Sequence, residues 1–193
     1  MKTKIFTLLL LALPFFISAQ TLTIQSGATV TIAPGASMTT GEIDNQGTAA
    51  SLVIQASSTE QGSLIFTQTG ANPLGTVQMY IGGSGVEQGD DPLHVYHNVG
   101  SPVFSGATAN DFYIGTGHDA WLFGYVPTVD IANPQTDLDI WDPVTVLGTQ
   151  LTGGKGYFYT WRTNPSRDET GIFTFTGELL GKEVTQTLVF DGG

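Results

Sequence analysis

The side chains of this sequence that could do chemistry at a site are carboxylates and aromatic rings. Asp130, Asp137, Asp139 and Asp142 form its densest acidic stretch, and Asp137-Leu138-Asp139 would set two carboxylates on one face of an extended segment. Hard cations such as calcium take several oxygen ligands, which aspartates in loops supply, so Asp137, Asp139 and Asp142 are the candidate metal ligands. EF-hand spacing is absent, and the competing reading is of solvated loop carboxylates. Glu87, Asp90 and Asp91 in a Gly-rich loop are a second acidic cluster of the same kind. Trp141, flanked by Asp139 and Asp142, reads as a ring exposed in a loop. With Trp121 and Tyr125 it makes the candidate ligand-binding set, because flat rings pack against the CH faces of sugars. Rings at alternate positions are first of all core formers, however. Trp121, Phe123 and Tyr125 would share one strand face, as would Tyr157, Tyr159 and Trp161, and both sets are expected inside.

Catalytic patterns are sparse. His94 and His97 are three apart, which on a strand sends them to opposite faces, and His118 stands alone, so a zinc site is not expected. Neither Gly-x-Ser-x-Gly nor His-Glu-x-x-His occurs. The 193 residues hold no cysteine, which excludes disulfides, thiolate nucleophiles and finger-type zinc sites. Six basic against seventeen acidic residues give a net charge of −11 with the acids scattered, which argues against a nucleic-acid surface. Paired carboxylates for glycoside hydrolysis depend on a separation that no sequence displays.

The elements that must position these residues are strands. Residues 21–28, Thr-Leu-Thr-Ile-Gln-Ser-Gly-Ala, and 29–36, Thr-Val-Thr-Ile-Ala-Pro-Gly-Ala, are identical at five of eight positions. Leu22, Ile24, Val30, Ile32 and Met38 alternate with polar residues, so each unit is expected to be a short half-buried strand ending in a Gly turn. Leu52 and Ile54, then Leu64 and Phe66, continue the pattern after turn signals at Asn45-Gln46-Gly47 and Gln61-Gly62. Units this small must stack to bury anything. The repeat is lost around Thr69 to Pro73, and nearly all aromatic residues beyond the leader lie after it. Strands are then expected over 76–81, 94–99, 121–126, 156–161, 171–175 and 184–190, separated by Gly, Pro, Asn and Asp. No window carries a helical apolar period. The last of these strands runs into Asp191-Gly192-Gly193 where another strand would follow a turn, so the chain reads either as interrupted or as closing on an edge strand with a frayed tail.

The fold class expected is therefore all-β. A short repeat-built cap, β-solenoid-like or a meander, occupies residues 20–72 and an antiparallel β-sandwich occupies 73–193. Residues 1–19 read as a secretory signal peptide: Lys2 and Lys4, an apolar run from Ile5 to Ile17, then Ser18-Ala19. That run falls short of the roughly 20 residues a membrane-spanning helix needs, and no later stretch supplies one. A secreted or cell-surface location follows.

Several segments resemble the N-terminal part of large secreted surface proteins of Bacteroidetes, the kind exported by the type IX system. They are Asn45-Gln46-Gly47 with Ser51 to Ile54, Gly62-Ser63-Leu64-Ile65, His97 to Val103 ending in Ser-Pro-Val, Gly153 to Tyr157, and Phe173-Thr174-Phe175-Thr176-Gly177-Glu178-Leu179. In that family these are architectural motifs, and the proteins end in a sorting domain that these 193 residues do not contain. The resemblance implies an extracellular structural or adhesive module without catalysis, whose partners are other domains of a larger surface protein or an extracellular glycan. A carbohydrate-binding module, calcium-assisted or not, is the second expectation. A polysaccharide-degrading β-helix enzyme is the third, weakened by a repeat region of only about 50 residues where a catalytic groove needs many coils. No cofactor other than calcium is expected.

If Asp137, Asp139 and Asp142 hold calcium, EDTA lowers the melting temperature and added calcium restores it; an unchanged melt removes calcium from the account.

Overall fold

The computed structural model describes residues 20–82, 87–88, 91–92, 95–112, 120–125, 141–161 and 171–181. They form an all-β protein. In chain order the strands are β1 (Leu22–Ile24), β2 (Val30–Ile32), β3 (Ser37–Thr39), β4 (Ile43–Asn45), β5 (Leu52–Ile54), β6 (Ser63–Ile65), β7 (Leu74–Tyr80), β8 (Glu87–Gln88), β9 (Asp91–Pro92), β10 (Val95–Gly100), β11 (Val103–Ser105), β12 (Ala120–Tyr125), β13 (Trp141–Pro143), β14 (Gly156–Trp161) and β15 (Ile172–Leu179). Single 3-10 turns occupy Ala49–Ser51 and Ala109–Phe112. The expected strand over 184–190 lies outside the described residues.

The first six strands pair in two sets of three. β1 lies parallel to β4 with Leu22 beside Ile43, β2 parallel to β5 with Val30 beside Leu52, and β3 parallel to β6 with Ser37 beside Ser63. The eight-residue repeat therefore does not stack on itself, because β1 and β2 are successive sides of one layer and each finds its partner in the next. What the repeat encodes is one corner used twice. Ala28 N–H donates to Gln25 C=O and Ala36 N–H to Ala33 C=O, both at 3.0 Å. The third residues of the two turns, Gly27 and Gly35, sit at φ +84° and +76°, a region side chains avoid. Pro34 pre-sets the second corner. Ile24, Ile32, Ile43, Leu52 and Ile54 point inward and are buried, while Thr23, Thr31 and Asp44 face out.

Each inner strand edge then needs a further partner. For β5 it is β7, which runs parallel with Ile54 beside Val77. For β4 it is the Gln68 side chain: Ile43 N–H donates to its Oε1 at 3.1 Å, and its Nε2 donates to Ile43 C=O at 3.4 Å and to Ala71 C=O at 2.7 Å. A side-chain amide thus stands in for a peptide group. Asn45 ties the same layer forward, donating from Nδ2 to Leu74 C=O at 2.8 Å while its Oδ1 accepts from Gly47 N–H at 3.0 Å.

β7 carries the ladder across residue 73. The resulting five-stranded sheet has the order β11-β15-β7-β5-β2, with β7 antiparallel to β15 over seven residue pairs from Ile172 beside Tyr80 to Glu178 beside Leu74. At the far side β11 meets β15 through a register shift between Val103 and Ser105, where the backbones close in. A Cβ on Gly177 would lie 1.8 Å from Ser105 C=O, so only glycine fits.

A four-stranded antiparallel sheet, β10-β14-β12-β13, supplies the remaining long strands, and β8 and β9 pair as a short hairpin. Tyr159 of β14 meets Phe173 of β15 edge-on at 5.6 Å between centroids, and Phe112 sits against Tyr159, Phe173 and Phe175 at 5.3, 6.0 and 4.9 Å. All four rings are buried, in a hydrophobic core continuous from Ile24 to Leu179. Phe112 is held there by its own loop. Asp111 Oδ2 accepts from Thr108 N–H at 2.7 Å, and Ala109 and Asn110 donate to Thr149 and Leu147 C=O at 2.9 and 2.8 Å.

Gly177→Ala is expected to destabilise the protein by about 2 to 3 kcal/mol, because its new methyl overlaps backbone rather than a movable side chain. Gly148→Ala, with nothing within 4 Å of its Cβ, should be within about 0.5 kcal/mol of wild type. Denaturant unfolding of the pair checks this, and equal midpoints would refute it.

Candidate functional site

The three ring-bearing positions singled out in the sequence, Trp121, Tyr125 and Trp141, come together on two neighbouring strands. β12 carries Trp121 and Tyr125, and β13, the last strand of its sheet among the described residues, places Trp141 directly across from Tyr125. Trp141 thus begins a strand rather than sitting in a loop, because β12 offers it a backbone ladder. Asp142 follows it across from Gly124. Asp130, Asp137 and Asp139 lie outside the described residues, as do Asp90, His94 and His118. No group of three or more carboxylate or histidine side chains suited to a metal occurs among the described residues.

The expected interior position of Trp121 and Phe123 needs correcting. β12 pairs with β14 so that Leu122 is across from Tyr159 and Gly124 across from Tyr157. Leu122, Tyr157 and Tyr159 are buried, so their face is the core face. Alternation then turns Trp121 and Phe123 outward; Trp121 is 42% exposed and Phe123 is half-buried. Pairing register decided this, since Ala-Trp-Leu-Phe-Gly-Tyr holds aromatics on one face and smaller apolar groups on the other, and either could serve as core. The second set behaves as expected at Tyr157 and Tyr159.

The outer face gains a ring that the sequence reading did not select. Phe158, half-buried, lies directly across from Phe123 on one side and from the exposed Asn98 on the other. Its neighbours Tyr157 and Tyr159 are also aromatic, so nothing in Gly-Tyr-Phe-Tyr-Thr-Trp marks which ring faces out. Trp121, Phe123 and Phe158 together present aromatic surface on adjacent strands, with Asn98 supplying amide hydrogen-bonding groups and Pro143 lying across from Phe123. That combination is chemically suited to ring stacking and hydrogen bonding.

Three further site-like features lie elsewhere among the described residues. His97 lies across from the buried Tyr159, and its buried Nε2 has no hydrogen-bond partner among the described residues. Lys155 Nζ stands 5.6 Å from the centroid of the Tyr157 ring, whose hydroxyl accepts from Thr152 N–H at 2.9 Å, fixing the turn into β14. An open cavity of about 290 Å³ lies beside β4, lined by Glu42, Asp44, Asn45, Gln68 and Asn72 among others. Glu42 Oε1 is already taken by Thr69, and Asp44 Oδ2 accepts from Gln46 at 2.8 Å.

Trp121→Ala is expected to change stability by less than about 1 kcal/mol, while Phe112→Ala should cost about 3 to 5 kcal/mol. Thermal or denaturant unfolding separates the two, and a large loss at Trp121 would place that ring in the core.

No protein-family model, curated protein or solved structure matches this chain.

Proposed function

We propose that the chain is a structural or adhesive module of a larger extracellular surface protein, exported after removal of residues 1–19, and that it acts by presenting surfaces rather than by catalysis. In this reading the first strands are a small β-solenoid-like stack and the later ones a β-sandwich, joined without a hinge. The observation that carries it is the five-stranded sheet, in which β7 bonds to β5 of the repeat region on one side and to β15 on the other. A ladder shared by both regions makes them move together, which suits a part that holds other domains at a distance from a surface. The resemblance to type IX secretion cargo agrees with it.

The exposed Trp121 beside Phe123 and Phe158 favours a second reading, a carbohydrate-binding module whose rings stack on an extracellular glycan, with Tyr125 and Trp141 on the same pair of strands. Calcium held by Asp137, Asp139 and Asp142 would assist it.

The intact mass of the native product, taken from cell surface and medium separately, tests the first reading. A surface-held product much larger than 20.4 kDa is expected, and a free product of the size left by leader removal would count against it. For the second, a glycan array probed with wild type and Trp121→Ala should show binding that the variant loses; no binding by wild type removes that reading.

A further inference from the structure

The two ends of the short-strand region are treated differently by the chain. At the inner end β4 is closed by Gln68 and β5 by β7. At the outer end β1, β2 and β3 are each the last strand of their sheet, and nothing pairs with their outer edges among the described residues. The hydrogen-bond pattern identifies the groups left over. Leu22 N–H and Ile24 C=O bond toward β4, Ile32 C=O toward β5, and Ala36 C=O and Thr40 N–H toward β6. Alternation therefore turns the N–H and C=O of Thr23, Thr31, Ser37 and Thr39 to the open end.

Burial follows the same axis at the first residue of β1 and of β2, although Ile24 and Ile32 at their last residue are buried. Leu22 and Val30 are only half-buried, whereas their partners one layer in, Ile43 and Leu52, are 2% and 0% exposed. The open end thus offers unpaired backbone together with two incompletely covered apolar side chains, Leu22 and Val30. Proteins defend such edges with lysine, proline or inward charges. Here residues 20–41 contain no ionisable side chain, and their one proline, Pro34, lies in a turn.

We propose that this end is a self-association surface, on which a second copy of the chain sets its β2 antiparallel to β2 across a two-fold axis. Charge argues for a copy rather than an oppositely charged partner. The chain carries −11 in all, so two copies repel over most of their surface, and a neutral end is where they can meet. Geometry agrees. With Thr31 opposite Thr31, each residue gives its free N–H to the other's free C=O, and Val30 falls opposite Ile32, extending the apolar interior of one copy into the other. The inference rests on the proposed function in one respect, the removal of residues 1–19 ahead of β1, which the N-terminal mass reading checks separately; a presenting module works as a monomer or as a pair.

The test is sedimentation of the secreted protein from micromolar to near-millimolar concentration, with its N-terminus read by mass spectrometry. A dimer whose fraction rises with concentration is expected. Thr31→Pro removes an N–H that the described chain does not use and should weaken the dimer at least about tenfold, the equivalent of two lost backbone hydrogen bonds, while leaving the monomer's melting temperature close to wild type. Should proline disturb the fold, Thr31→Lys, which puts like charges together across the axis, must give the same loss. Wild type that stays monomeric throughout overturns the proposal. So does a dimer that survives both variants, or slow exchange of the Thr31 amide in a monomer that retains residues ahead of Gln20, which would mean that the chain covers its own edge.

Discussion

Tyr159 donates its hydroxyl to the carbonyl of Phe112 at 2.8 Å in the middle of four packed rings, and much of the fold can be traced outward from that bond. A buried carbonyl without a donor costs on the order of 1 to 3 kcal/mol, so Phe112 is tolerated at the centre only with its backbone satisfied there. Satisfying it fixes the loop 107–112, whose backbone hydrogen bonds outside itself run to residues 147–151 and thereby toward the turn that starts β14. The same ring packing joins β14 of one sheet to β15 of the other, and β15 in turn aligns β7. Four aromatic side chains thus couple the Ala109–Phe112 turn to Phe173 and Phe175 of β15, more than 60 residues later in sequence, with Tyr159 of β14 between them.

Strands of three residues impose the second constraint. Each forms too few hydrogen bonds to stand alone, so every edge must be met by another strand, by a side chain or by a partner. The chain meets one with β7 and another with Gln68, and it leaves the first layer as a neutral rim of serines and threonines. Those choices divide the molecule into a closed end that merges with the long sheet and an end available for contact. The proposed presenting role and the proposed self-associating rim both draw on the same shortage of backbone partners.

Surface character on the other sheet arises in a different way. β12 and β14 are so rich in aromatics that both faces of the pair carry rings, and only one face can be core. The inward choice of Leu122, Tyr157 and Tyr159 leaves Trp121, Phe123 and Phe158 outside. An exposed tryptophan here is a consequence of register, and a glycan-binding role would exploit it.

What the sequence by itself determined is local. Alternation at Leu22, Ile24, Val30 and Ile32 dictates short half-buried strands, Gly27 and Gly35 dictate their corners, and the absence of a helical apolar period leaves an all-β chain. Strand positions from Leu74 to Leu179 were legible for the same reason, except the short β8, β9, β11 and β13, whose two or three residues carry too little alternation to stand out; Glu87 and Asp91, read as loop carboxylates, lie in the β8–β9 hairpin. Pairing was not legible. Only the tertiary structure decided that the repeat forms sides of one layer, that Trp141 enters a strand opposite Tyr125, and that Trp121 faces outward. The physical reason is that alternation specifies two faces without naming which is buried. Hydrogen bonds between distant strands make that choice, and a one-residue slip in them would exchange the faces.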